Sequence, residues 1–153
     1  MDPLVETWTI HDRINRYLLG ALGADDLRTT PTGKGRSIAD LFAHMHNVRL
    51  MWLKSAAPRL LDGLEKLESG AAPSVGVLDA ALEASGKAIA VLIDDAIASG
   101  GRVKGFKPNA TAFVGYLISH ESHHRGQVAV GMRLAGRPLD KKISYGLWEW
   151  GVR

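Results

Sequence analysis

Residues 120–124 read His-Glu-Ser-His-His, which gathers three of the chain's six histidines and an acid into five positions. On a helix, residues four apart project from one face about one turn apart, so His120 and His124 can aim two imidazoles at a single point. Two nitrogens so placed chelate a transition metal. A third imidazole from another helix would leave the remaining coordination positions to water or substrate. The candidate source is the stretch Ala-His-Met-His-Asn at 43–47. There His44 borders the apolar stripe of Leu41, Met45, Val48 and Trp52, whereas His46 lies about 200° further round the wheel. The expected metal set is therefore His44, His120 and His124.

The neighbouring residues invite smaller roles. Gln127 shares the sector of Phe113, Leu117, His120 and His124, which gives it a place beside the open coordination positions, while His123 falls about 60° outside it and suits a supporting, interface or solvent role. His11 lies on the inward face of the first helix and could line the pocket as an acid or base. For His11 or His46 alone, a packed or surface histidine is the plainer reading. Residues 120–124 also match HExxH literally, a zinc-protease pattern that would make Glu121 a general base. So short and helical a chain lacks the larger fold and substrate-binding strand of such enzymes, and at about 100° from His120, Glu121 can instead orient a histidine or pair with a charge. Arg36 and Arg49 are candidate anion binders, with solvated surface charge as the plainer role.

Four amphipathic helices must position these residues. Asp2 caps and Pro3 opens the first, about 3–22, whose apolar stripe runs through Leu4, Trp8, His11, Ile14, Leu18 and Leu22. The turn-forming stretch 27–37 then breaks the helical pattern, and Ser37 caps a second helix that ends near Pro58. Residues 58–73 connect across the bundle end with a turn or two of helix. Ser74 caps a third helix, about 75–99, and Asn109 a fourth that runs to Gly136 and Pro138 and carries the histidines. With no period-two alternation, the class is all-α, a four-helix bundle in one domain over 1–153. The tail, with Trp148 and Trp150, is expected to pack back on the bundle or on a second subunit.

Composition narrows the chemistry. The chain has no cysteine, so a thiol nucleophile or thiolate ligand would have to arrive with a substrate. Its formal net charge is +3, but Lys and Arg are scattered among acids without an aromatic-interleaved stripe, which argues against nucleic acid as a partner. No apolar run approaches the ~20 residues of a membrane span and the N-terminus is unlike a signal peptide, so a cytoplasmic protein without a membrane partner is expected.

Two segments, Gly-Arg-Ser-Ile-Ala-Asp-Leu-Phe-Ala-His-Met-His-Asn-Val-Arg-Leu-Met-Trp-Leu at 35–53 and His-Glu-Ser-His-His-Arg-Gly-Gln at 120–127, resemble the DinB-like superfamily. That group of small bundle proteins includes thiol-dependent transferases and mycothiol-dependent maleylpyruvate isomerases. The first segment is similar to the family's helix-two histidine followed eight residues later by Trp, here His44 and Trp52. The second is similar to its HxxxHRGQ signature, here His120, His124, Arg125, Gly126 and Gln127. His46 departs from the pattern and is the rival to His44 as first ligand. The resemblance covers nearly the whole chain. It implies a bundle with a crossover connection between helices two and three, frequent homodimers, and a divalent metal, zinc or nickel most often, with iron also suited to imidazole. A hydrolase or a transferase acting on a small-molecule substrate, such as a low-molecular-weight thiol, would follow. The rival expectation is a non-catalytic, stress-associated bundle in which the metal only pins the helices.

Overall fold

The computed structural model describes residues 1–153, and all of its regular elements are helices. Four long helices, α1 (Pro3–Gly20), α3 (Ile38–Ala56), α4 (Val75–Ala98) and α5 (Ala110–Leu134), are accompanied by two short ones, α2 (Ala24–Arg28) and α6 (Lys141–Gly146). Each long helix starts where a side-chain oxygen takes an otherwise unpaired backbone N–H: Asp2 for Leu4, Ser37 for Asp40, Ser74 for Val77 and Asn109 for Ala112. At Ser37 the Asp40 carboxylate also accepts from the Ser37 backbone N–H, completing a reciprocal box. None of the helices is long and apolar enough to cross a membrane.

Side-chain pairings give the helix directions. Trp8 meets Gly86 and Arg16 meets Asp79, so α1 and α4 are antiparallel; His11 meets Glu121 and Asn15 meets Arg125, so α1 and α5 run together. Arg49 reaches the Leu82 carbonyl and Arg59, just past the C-terminal end of α3, pairs with Asp95, so α3 and α4 also run together. Two neighbours pointing the same way need a long connection. Residues 57–74 supply it by running back along α3, where His46 bonds the Glu65 carbonyl, Asn47 bonds both backbone groups of Leu67, and Asp40 accepts from the Gly70 N–H.

The apolar interior is divided into two layers. One holds Leu18, Leu22, Ile38, Phe42, Met45, Leu78, Leu82, Val128 and Met132; the other holds Val5, Trp8, Leu53, Ile89, Ile93, Phe113 and Leu117. Every long helix contributes to both, and between them each contributes buried polar residues: His11, Asp12 and Asn15 from α1, Arg49 from α3, Ser85 from α4 and Glu121 from α5. The structure departs from the periodicity at the edges. Helix α1 stops at Gly20, Leu22 packs beyond its end, and α2 and α6 form in stretches read as loop and tail. Trp148 does not pack back on its own chain, being 79% exposed, whereas Trp150 is partly covered.

Candidate metal centre

Helix α3 delivers His44 and α5 delivers His120 and His124 to one point. His120 Nε2 lies 3.2 Å from His44 Nε2 and 3.1 Å from His124 Nε2, and one nitrogen from each ring falls within 4.8 Å of the others. Neutral imidazole has a single N–H, so one Nε2 cannot satisfy two facing Nε2 atoms. A cation fits the gap. Nitrogens about 2.0–2.1 Å from a zinc ion stand roughly 3–3.4 Å from one another, the spacing of the two pairs that share His120.

The protonation state suits that role. Burial is the first cause lowering the proton affinity of all three histidines, and it is reinforced by neighbouring imidazoles and by Arg36; His44 is pushed down to about 4. All three are therefore neutral at neutral pH and carry a lone pair each. At His124 the orientation is set as well, because Nδ1–H donates to Gln127 Oε1 at 2.8 Å and leaves Nε2 as the bare nitrogen facing the centre. His123 is solvent-exposed with its ring edge-on to His124 at a 5.1 Å centroid distance. On the other side, one turn before His120, Tyr116 joins Trp52, Phe106 and Phe113 in an aromatic wall with centroids 5.3–5.7 Å apart.

His11, His46 and Glu121 lie elsewhere. His46 is buried under the 57–74 connection, bonded to the Glu65 carbonyl at 2.8 Å. His11 is wholly buried in the polar layer, where its Nε2–H donates to Glu121 Oε2 at 3.0 Å. Glu121 receives Arg49 Nε on one oxygen at 2.7 Å, and Arg49 Nη2 at 2.8 Å and Asn15 Nδ2 at 2.6 Å on the other. With its oxygens engaged and no exposed surface, Glu121 serves as the counter-charge of Arg49, not as a base at the histidine centre. Burial pushes its carboxyl up, but Arg49 and His11 outweigh that and hold it well below the usual carboxylate range.

Arg49 is wholly buried, so it is no surface charge. Its Nη1 donates to Asp12 at 2.7 Å and to the Leu82 carbonyl at 2.9 Å, and its guanidinium lies 4.9 Å from the Trp8 ring centre. The Trp8 indole in turn donates to the Gly86 carbonyl, and only glycine fits there, since a Cβ at 86 would stand 2.7 Å from the Asp12 carboxylate. Burial dominates at Asp12 and raises its pKa despite Arg49. Asp12 and Asn15 were not singled out from sequence, and Arg125, whose Nη1 donates to Asn15 Oδ1 at 2.6 Å, was named only as part of the signature, with no role. A signal existed: Arg49 falls in step with Phe42, Met45 and Leu53, and Glu121 with Val114, Leu117 and Val128, so each sits where its helix is otherwise apolar.

No curated protein and no solved structure matches the chain. The family model described as DinB family matches residues 1–142, nearly the whole length and all three converging histidines. The chain therefore belongs to the DinB family.

Proposed function

We propose that the chain is a divalent-metal-dependent enzyme, a hydrolase or a small-thiol-dependent transferase, whose ion is held by His44, His120 and His124. Zinc and nickel suit three imidazoles best and iron is also accommodated. The observation that carries this reading is the convergence of three neutral ring nitrogens beside open space. A cavity of about 530 Å³ lined by His123, Gly126, Gln127 and the 31–36 loop flanks one side, and a smaller one of about 190 Å³ lined by His44 and Asn47 flanks the other. A histidine set that only pinned the bundle would have no need of such access.

The ion's contribution would be Lewis acidity, which favours loss of a proton from water or from a thiol brought by the substrate. The protein's own residues supply the rest. Gln127 fixes the His124 tautomer, the aromatic wall of Trp52, Phe106 and Tyr116 keeps an apolar side to the site, and the sealed layer around Arg49 keeps Glu121 out of the reaction. We also read the four long helices as a single-domain four-helix bundle over 1–153 with a crossover at 57–74, which the shared direction of α3 and α4 supports. A cytoplasmic homodimer completes the reading, and the exposed Trp148 and Tyr145 are the residues we would place in its interface.

The test is a comparison of zinc- and nickel-loaded protein with metal-free protein in two assays, hydrolysis of activated esters and transfer of a small thiol to an electrophile. Metal-dependent turnover that disappears in His120→Ala supports an enzyme. Tight metal uptake without turnover in either assay supports the non-catalytic alternative.

A further inference from the structure

The 31–36 loop carries two basic residues to a cavity beside the histidine centre, lined by Gln127 and His123 and not by the three converging rings themselves, and is itself firmly seated. Pro31 lies on Gly131 of α5 so closely that a Cβ at 131 would stand 2.9 Å from its ring and 3.1 Å from its backbone. Thr29 accepts from the Ile38 N–H at 2.8 Å and from Arg137 at 2.7 Å, and the Thr32 hydroxyl donates to the Lys34 carbonyl at 2.9 Å. Lys34 and Arg36 line the 530 Å³ cavity together with His123 and Gln127, and no acid lines it. Neither is used in an ion pair of the fold. Asp40, whose carboxyl the Arg36 charge helps to hold low, is already bonded to Ser37 and to the Gly70 N–H. Arg36 also borders the smaller cavity beside His44 and is near enough to all three ligating rings to disfavour their protonation.

Two cations without an ion-pair partner, over a mixed polar and apolar cavity, contribute little to stability. We propose that they select the substrate: Lys34 and Arg36 hold an anionic arm, a carboxylate or a tetrahedral oxyanion, of a small molecule whose reacting end faces the histidine centre. This rests on the metal-centre reading and adds the class of substrate to it. The guanidinium fork of Arg36 gives the anion an orientation, and Lys34 adds a point charge. The apolar remainder of the molecule would lie against Leu41, Val130 and Leu134, which line the same cavity.

The test uses cobalt(II)-loaded protein and three thiols of equal chain length: 3-mercaptopropionate, 2-mercaptoethanesulfonate and neutral 2-mercaptoethanol. Binding is read from the cobalt–thiolate charge-transfer band. The wild type should bind at least one anionic thiol about tenfold more tightly than the neutral one, as two charge-assisted contacts allow. The Lys34→Ala/Arg36→Ala double variant should lose that preference while keeping its affinity for 2-mercaptoethanol. The anion whose advantage falls further identifies the arm as planar carboxylate or tetrahedral oxyanion. A preference that survives in the double variant, or its absence in the wild type, overturns the proposal. Failure of the metal-centre reading shows separately, as no cobalt d–d absorption before any thiol is added, and removes the proposal with it.

Discussion

His120 and Glu121 are neighbours on α5, yet they belong to opposite kinds of polar site. His120 joins two other neutral rings whose nitrogens face one another without enough protons between them, beside two cavities. Glu121 joins Arg49, Asp12, His11 and Asn15 in a layer where charges meet counter-charges and the members are buried. About 100° of helix rotation separates the two. The difference teaches that buried polarity has two uses here: the charges of the Arg49 layer are met by the protein itself, with only His11 Nδ1 left unpartnered, and the layer joins all four long helices, whereas the histidine cluster is left wanting a ligand. A pattern such as HExxH cannot distinguish these uses, because it specifies spacing and not which helix each side chain meets.

The largest effect that would sharpen the comparison is on stability. Arg49→Ala strands Glu121 and Asp12 as buried charges without a partner, which should cost about 3–5 kcal/mol. His44→Ala removes only a partly exposed ring and should leave the metal-free protein near wild-type stability. Urea unfolding of the two metal-free variants reads the difference directly, and comparable losses would merge two sites that the structure keeps apart.

Next is metal affinity. Gln127→Ala frees His124 Nδ1 and lets the ring change tautomer and tilt, so zinc should bind about 10- to 100-fold more weakly by chelator competition while the fold is retained. An unchanged affinity would mean that the 2.8 Å bond to Gln127 does not set the ring.

A smaller effect appears with pH. Unfolded histidine takes up a proton near 6.5, but folded His44 resists until about 4, so acid favours the unfolded chain. The contribution of His44 to the stability of the metal-free protein is complete above about 6.5 and is lost progressively as pH falls toward about 4. His120 and His124 act in the same direction. Glu121 stays ionised through that window, since Arg49 holds its proton affinity low. Thermal melts of the metal-free protein should therefore fall across this range, and His44→Ala should flatten the decline.

Much of the helical layout was legible because it is local. The caps at Asp2, Ser37, Ser74 and Asn109 and the three-and-four spacing of apolar residues depend only on near neighbours, and they mark where the long helices begin. The convergence of His120 with His124 is likewise one turn of helix. What escaped was non-local. Arg49 reads as a surface cation until partners 37 and 72 residues away, Asp12 and Glu121, are brought to it. A wheel with one buried and one open face sets His46 apart from His44, but it cannot foresee that the 57–74 segment returns along α3 and buries that second face. The short helices α2 and α6 were missed for a similar reason, since helices of five and six residues lack the length for a periodic signal and depend on packing.

The most direct test of the two-site account is the metal content of purified protein after incubation with zinc and removal of excess, for wild type, His44→Ala and His46→Ala. The account predicts about one ion per chain in wild type and in His46→Ala, and loss of the ion in His44→Ala. An ion retained in His44→Ala but lost in His46→Ala, or no uptake by the wild type, would contradict it.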